Sequence, residues 1–115
     1  MSGIVVLNVG GCVFVTRRDT LHSGFFLGLI ETDGSGSEET VEMFVDRDPT
    51  HFRYVLNWLR GCRYLPEDDQ ALTELAWEAD FYALDDMVSS ITNTRRRFSM
   101  LKTLDVVASS MGRAT

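Results

Sequence analysis

An α+β domain is the fold class that this chain of 115 residues predicts, and three observations carry the prediction. Short β-branched apolar runs crowd the first half, at residues 4–9, 12–16 and 41–45. Helix-spaced apolar residues dominate from residue 52 onward. Turn chemistry separates the two kinds of pattern, so helices made late fall on a small sheet made early. The expected architecture is a three-stranded sheet packed with about four to five helices.

The first run, Ile-Val-Val-Leu-Asn-Val at 4–9, is apolar at both alternating sets of positions. Such a strand is expected to be covered on both faces. Gly10-Gly11 joins it to the run at 12–16. A two-residue Gly-Gly loop predicts a hairpin, because the favoured turn needs positive φ at both positions. Residues 20–23 then read as a loop into a short helix, on which Phe25 and Leu29, and Phe26 and Ile30, are i, i+4 pairs. Residues 31–40 form a polar, Gly/Ser-rich loop with nothing to bury, expected to be mobile.

Residues 44–61 are the most informative stretch. Phe44-Val45 ends the third strand, and Asp46-Arg47-Asp48 makes a charged corner. Asp48 is expected to cap the helix that follows, with Pro49 at its first position. Phe52, Val55, Leu56 and Leu59 recur at i, i+3, i+4 and i+7, one face of that helix. Arg60 suits its negative end, and Gly61 suits a left-handed closing residue. Leu65-Pro66 makes a stop. Asp69 is expected to cap a helix over 70–82, with Leu72, Leu75, Ala76 and Ala79 on one face. Leu84, Met87, Val88 and Ile91 predict a final short helix. These boundaries divide the chain into a domain over 1–92 and a basic C-terminal tail over 93–115, partly helical or disordered. In the tail Leu101, Leu104, Ala108 and Met111 are helix-spaced but poorly capped.

Residues 1–92 hold 16 acids and 6 bases, a net of −10, whereas residues 93–115 carry +4. An acidic body repels phosphate backbones, which excludes nucleic acid as the partner of the folded part. No apolar run approaches the ~18 residues of a membrane span, so no membrane insertion is expected. Residues 4–7 are too short for a signal-peptide core, and no basic residue precedes them. Cys12 and Cys62 form no framework for a secreted domain. The expected location is cytoplasmic, with both thiols reduced.

Three separated motifs resemble one family. Val6-Leu7-Asn8-Val9-Gly10-Gly11, with Phe14, Thr16 and Thr20-Leu21, is similar to the opening of the potassium-channel tetramerisation domain, the T1-type branch of the BTB/POZ fold. Phe44-Val45-Asp46-Arg47-Asp48, Phe52, Val55-Leu56, Leu59-Arg60-Gly61 and Leu65-Pro66 resemble its middle. Glu78-Ala79-x-Phe81-Tyr82-x-Leu84 resembles its end. The wording of the corner and of Phe52-Arg53-Tyr54-Val55-Leu56-Asn57 looks closer to the soluble KCTD-like members than to channel subunits. The resemblance implies a non-enzymatic homo-oligomerisation module without cofactor, closing into a ring of four or five copies. Soluble relatives of this kind serve as adaptors, some for cullin-type ubiquitin ligases. A cytoplasmic tetramerisation domain cut from a voltage-gated channel subunit is the alternative. Many channel domains outside one branch carry zinc at a Cys-Cys pair near the end, and this chain has no such pair.

The resemblance places the Asp46-Arg47-Asp48 corner near the subunit interface. Arg47 between two carboxylates is the first candidate for an interface or buried ion pair, and Arg53 on the central helix is the second. The plainer reading is a local Asp46–Arg47 pair with Asp48 as a cap. Tyr54 and Trp58 are an i, i+4 aromatic pair off the apolar stripe. They fit either a helix buried on more than one side or a partner face. Cys12, His22, His51 and Cys62 could be argued into a small metal-binding protein, but their spacings hold no short ligand pair. Cys12 is expected to face the sheet, and the histidines to lie in a loop and on a helix surface. No Gly-x-Ser-x-Gly turn supports a hydrolase. Arg96-Arg97-Phe98-Ser99 resembles a site for basophilic kinases, with a basic tail shielding an acidic body as its plainer reading.

Overall fold

The computed structural model describes residues 3–32 and 40–113, with side chains through residue 31 in the first stretch and residue 104 in the second. The elements are β1 (Ile4–Val9), β2 (Cys12–Arg17), α1 (Gly24–Thr32), β3 (Val41–Val45), α2 (Phe52–Leu59), α3 (Asp69–Phe81) and α4 (Asp85–Arg113), with one 3-10 turn over Arg18–Thr20. Strand order is β2-β1-β3, antiparallel between β1 and β2 and parallel between β1 and β3. The polar loop expected over 31–40 lies, for residues 33–39, outside the described residues, and residues 31–32 belong to α1.

The Gly-Gly hairpin forms as predicted, with φ of 55° at Gly10 and 103° at Gly11. The Asn8 side chain accepts from the Gly11 N–H at 2.8 Å. Gly10 serves a second purpose. Its N–H donates to the Val45 carbonyl, and a Cβ placed there would sit 2.3 Å from the Arg47 carbonyl oxygen. The hairpin is therefore locked under the corner that follows β3, and only glycine fits between them.

Register puts Val5, Leu7 and Val9 in rows with Val41, Met43 and Val45 on one side and with Thr16, Phe14 and Cys12 on the other. That face is the core: Val5, Leu7 and Val9 are fully buried. The helices complete the same cluster with Phe26 and Ile30, with Phe52, Val55, Leu56, Trp58 and Leu59, and with Leu72, Leu75, Tyr82, Met87 and Ile91. The predicted stripes on α1, α2, α3 and the start of α4 face this cluster, with Phe25, Leu29, Ala76 and Val88 among them partly buried at its margin. The opposite sheet face differs from expectation. Ile4, Val13, Val15 and Phe44 are 40–61% exposed, so β1 is covered by helices on one face only. Cys12, expected against the sheet, is exposed, as is Cys62.

Both long turns after helices use the same closure. After α2 the Gly61 N–H donates to the Trp58 carbonyl and the Cys62 N–H to the Asn57 carbonyl, with Gly61 at φ 95°. After α3 the Ala83 N–H donates to Asp80 and the Leu84 N–H to Ala79, with Ala83 at φ 58°. Both are left-handed closures that satisfy orphan carbonyls. The second uses alanine, whose Cβ makes that conformation costly.

Helix starts depart from expectation by small amounts. Asp68, not Asp69, caps α3, accepting from the Ala71 N–H at 2.9 Å. Asp48 does not cap α2: it accepts from the Thr50 N–H and hydroxyl in a turn that precedes the helix. Pro49 consequently lies outside α2. The larger departure is α4, which runs 29 residues with no break at Thr92. The pattern loosens there because the helix has left the core: Met100, Leu101 and Leu104 are all more than half exposed.

The strained closure generates a prediction. Ala83→Gly should raise unfolding stability by roughly 1 kcal/mol, the approximate cost of a left-handed L-residue. Urea midpoints at constant slope measure it. An unchanged or lower midpoint would mean that Ala83 carries no such strain.

Candidate functional site

The corner after β3 is held by α3. Arg47 projects from the corner to form a two-pronged pair with Glu78: Nε donates to Oε1 at 3.2 Å and Nη2 to Oε2 at 2.6 Å. Its guanidinium also lies 4.3 Å over the ring of Phe81, one turn further along α3. Fork and stack together fix the guanidinium plane, which a lysine could not do. Glu78 is 12% exposed and Arg47 30%. The expected local Asp46–Arg47 pair is thus replaced by a partner 31 residues away. Arg47 sits in a bend after β3, with its N–H donating to the Val45 carbonyl, and Glu78 stands on the border of the buried face of α3. That border position, i+3 from Leu75 and i−4 from Tyr82, is the signal that sequence reasoning passed over.

Phe81 leads into an aromatic cluster. Tyr82 stacks on Phe26 at 5.3 Å and meets Phe25, Phe52 and Phe81 edge-on at 5.0–5.3 Å. Burial pushes the Tyr82 hydroxyl pKa well above its usual value, with the Glu78 charge adding and Arg47 opposing. Donating to the Glu78 carboxylate raises the Arg47 guanidinium above its usual value. Both shifts keep the Tyr82 hydroxyl and the Arg47 guanidinium protonated at neutral pH.

Beside it, His51 Nε2 contacts Glu74 Oε1 at 2.8 Å, and Gln70 donates to the other Glu74 oxygen at 3.2 Å. These bonds, the one from His51 first, lower the Glu74 pKa. Asp48 is lowered by the Thr50 hydroxyl and then by the Thr50 N–H. Asp48, Thr50, His51, Glu74, Trp77 and Glu78 line an open cleft of about 210 Å³.

The remaining sequence-predicted residues divide. Asp46 and Asp48 are exposed at the corner, and Arg53 is exposed on α2. Arg53 shares a shallow cavity of about 420 Å³ with Val13, Phe14, Val15, Leu56, Asn57 and Arg60. Arg60 ties that side together by donating to the Val15 carbonyl at 3.0 Å. Trp58 is corrected as a partner-face residue: it is 4% exposed, buried in the core under the Arg63 guanidinium. Arg63 is held there by Asp86 of α4 at 3.1 Å. Tyr54 is half-buried and meets Tyr64 edge-on. Ser99 is exposed on α4. His22 Nε2 donates to the Leu59 carbonyl at 3.3 Å, far from a ligand role. Among the described residues, no three His, Cys, Asp or Glu side chains are grouped to hold a metal ion.

A two-layer domain with a β-hairpin, a parallel third strand and helices on one face, braced by an arginine at the strand–helix corner, defines a class of interaction module. The chain belongs to the BTB/POZ domain family, whose description matches residues 5–91. It is similar to BTB/POZ domain-containing protein KCTD5 of Mus musculus, 35% identical over 113 residues, covering 92% of this chain and 48% of that protein. KCTD21 of Mus musculus is 38% identical over 101 residues, with 79% and 37% covered. The FH protein interacting protein FIP2 of Arabidopsis thaliana is 34% identical over 102 residues, with 84% and 34% covered. The chain thus spans less than half the length of these relatives. No helix among the described residues is long and apolar enough to cross a membrane.

Two predictions follow from the corner. Arg47→Ala and Glu78→Ala should each lower stability by about 1–3 kcal/mol, the range for hydrogen bonds to charged groups. The double variant should lose less than the sum, with a coupling of about 1 kcal/mol or more. Strict additivity in urea unfolding would show that the fork contributes nothing.

The pH dependence of the second pair has a definite sign. The folded Glu74 pKa lies below its usual 4.5. Its stabilisation is therefore present above the unfolded value and lost as pH falls through that value toward the folded one. Stability plotted against pH should drop less steeply below 4.5 in Glu74→Gln than in the natural chain. Superimposable profiles would remove Glu74 from the acid response.

Proposed function

We propose that this chain is a protein-interaction module that closes into a ring of its own copies and acts as a cytoplasmic adaptor platform. The observation that carries the reading is the open sheet face. Ile4, Val13, Val15 and Phe44 are 40–61% exposed on the face opposite the helices, where an antiparallel hairpin ordinarily presents polar residues to water. Membership of the BTB/POZ family supports self-association as the means of covering it.

A closed ring is built head to tail, so one subunit must offer two different surfaces that match. The two sheet edges are β2 and β3. Beside β2 stand Arg53 and Arg60 around Val13 and Val15. At the end of β3 stand the exposed Asp46 and Asp48. In this reading Arg53 of one copy meets the acidic corner of the next, while Arg47 braces that corner from inside. Four or five copies close the ring. The KCTD-like sequence supports the adaptor role, for which a cullin-type ubiquitin ligase subunit is the partner class to try first.

Native mass at roughly 20 μM tests the ring, at a concentration where a weak assembly still forms by mass action. The expected mass is four or five times 13.0 kDa. Phe44→Glu and Arg53→Glu should fall to the monomer with unchanged circular dichroism. Adding Asp46→Arg should restore mass to Arg53→Glu. A natural chain that runs at 13.0 kDa, or a Phe44→Glu variant that keeps the ring, would overturn the assignment of this face.

A further inference from the structure

We propose that Ser99 is a phosphorylation site for an arginine-directed serine kinase, and that the phosphate draws Arg95 away from α3. Three observations meet at this residue. Arg96 and Arg97 precede Ser99 by three and two positions, the spacing at which such kinases bind guanidinium groups. Both arginines and Ser99 are exposed. The helix is leaving the body at this point: Phe98 is half-buried against the core cluster, whereas Met100 and Leu101 are 64% and 61% exposed. A kinase needs its substrate extended, and a helix segment tied to the body by one half-buried ring and one exposed ion pair opens at low cost.

The surroundings give the modification a consequence. Ser99 shares one wall of a cleft of about 1000 Å³ with Arg95, Arg96 and Lys102, facing Glu67, Asp68 and Asp69 at the start of α3. Arg95 Nε donates to Asp69 Oδ1 at 3.3 Å, a strap between α4 and α3. Ser99 is one turn beyond Arg95 and nearly one turn before Lys102 on the same face. A phosphate there carries about −1.5 to −2 charges. It offers Arg95 and Lys102 a stronger acceptor than an exposed carboxylate, and it repels the acids across the cleft.

The transfer is balanced with ATP as co-reactant. The Ser99 Oγ attacks the γ-phosphorus, the new O–P bond forms, and the bond to the ADP oxygen breaks with its electron pair leaving on ADP. The hydroxyl proton passes to the kinase base.

Incubation of the whole chain with a purified basophilic serine kinase catalytic subunit and Mg-ATP tests the site. The expected result is a gain of ~80 Da, one phosphoryl group, mapped to Ser99 by fragmentation and absent in Ser99→Ala. Arg96→Ala should slow incorporation about tenfold or more, the scale of one lost ionic contact. Hydrogen exchange should then show residues 92–98 less protected in the phosphorylated chain, and Asp69→Ala should show the same loss without phosphate. No incorporation, or incorporation at Ser89, Ser90 or Thr94, would overturn the site. Phosphorylation at Ser99 with unchanged exchange would overturn the release of Arg95.

Discussion

Arg47 is the residue through which the sheet half and the helix half of this chain depend on each other. It stands at the end of β3, its carbonyl lies against Gly10 of the hairpin, and its side chain is forked onto Glu78 and stacked on Phe81. A movement of α3 would therefore be felt at the hairpin through a single residue. The joint is polar but not isolated. One turn from it the Tyr82 ring sits among Phe25, Phe26, Phe52 and Phe81, which bind α1, α2 and α3 by apolar contact. The aromatic cluster supplies non-directional burial, and the fork supplies a direction. Apolar contact alone would leave α3 free to slide by a turn, whereas a planar guanidinium on a planar carboxylate accepts one register.

Much of this was legible from residues alone, because the signals were local. The Gly-Gly hairpin, the 52/55/56/59 stripe and the Gly61 closure are each written within a dozen residues. The start of α2 was misread because Asp48 and Pro49 suit a helix start and a turn equally. Thr50, whose N–H and hydroxyl both reach Asp48, decided for the turn. Ala83 was invisible for a different reason: nothing in an alanine announces a left-handed conformation, and the Ala79 and Asp80 carbonyls that demand it belong to the preceding turn. The partner of Arg47 was the hardest to read. Asp46 and Asp48 are adjacent in sequence and Glu78 is adjacent only in space, so proximity along the chain favoured the wrong carboxylates.

Trp58 and the sheet face show the same limit from two sides. An indole on the flank of a helix looks like an anchor for a partner, yet Arg63 and Asp86 fold over it and make it core. A strand apolar on both faces looks like a fully covered one, yet the described helices cover only one of its faces. Hydrophobicity in a sequence states that a surface will be covered. It does not state whether the cover comes from the same chain.

Charge sharpens that distinction. The body of the chain is acidic by ten and the last 23 residues are basic by four, which invites the idea that the tail neutralises the body. The continuous helix opposes it. From residue 95 to residue 113 α4 advances about 27 Å, which carries Arg113, the last of the tail's bases, well beyond the ~10 Å over which charges are felt at 0.1 M salt. Of its bases, Arg95 reaches an acid of the body, through Asp69, and Lys102 stands across an open cleft from the others. A tail of +4 can meet at most four of the body's ten excess negative charges, and the rest are met by solvent ions or by another molecule. Copies of such a body repel at a distance and attract only where apolar faces and opposite charges come into contact. Association of that kind depends strongly on a few short contacts and on salt, and a single added phosphate on α4 is large against a tail charge of four.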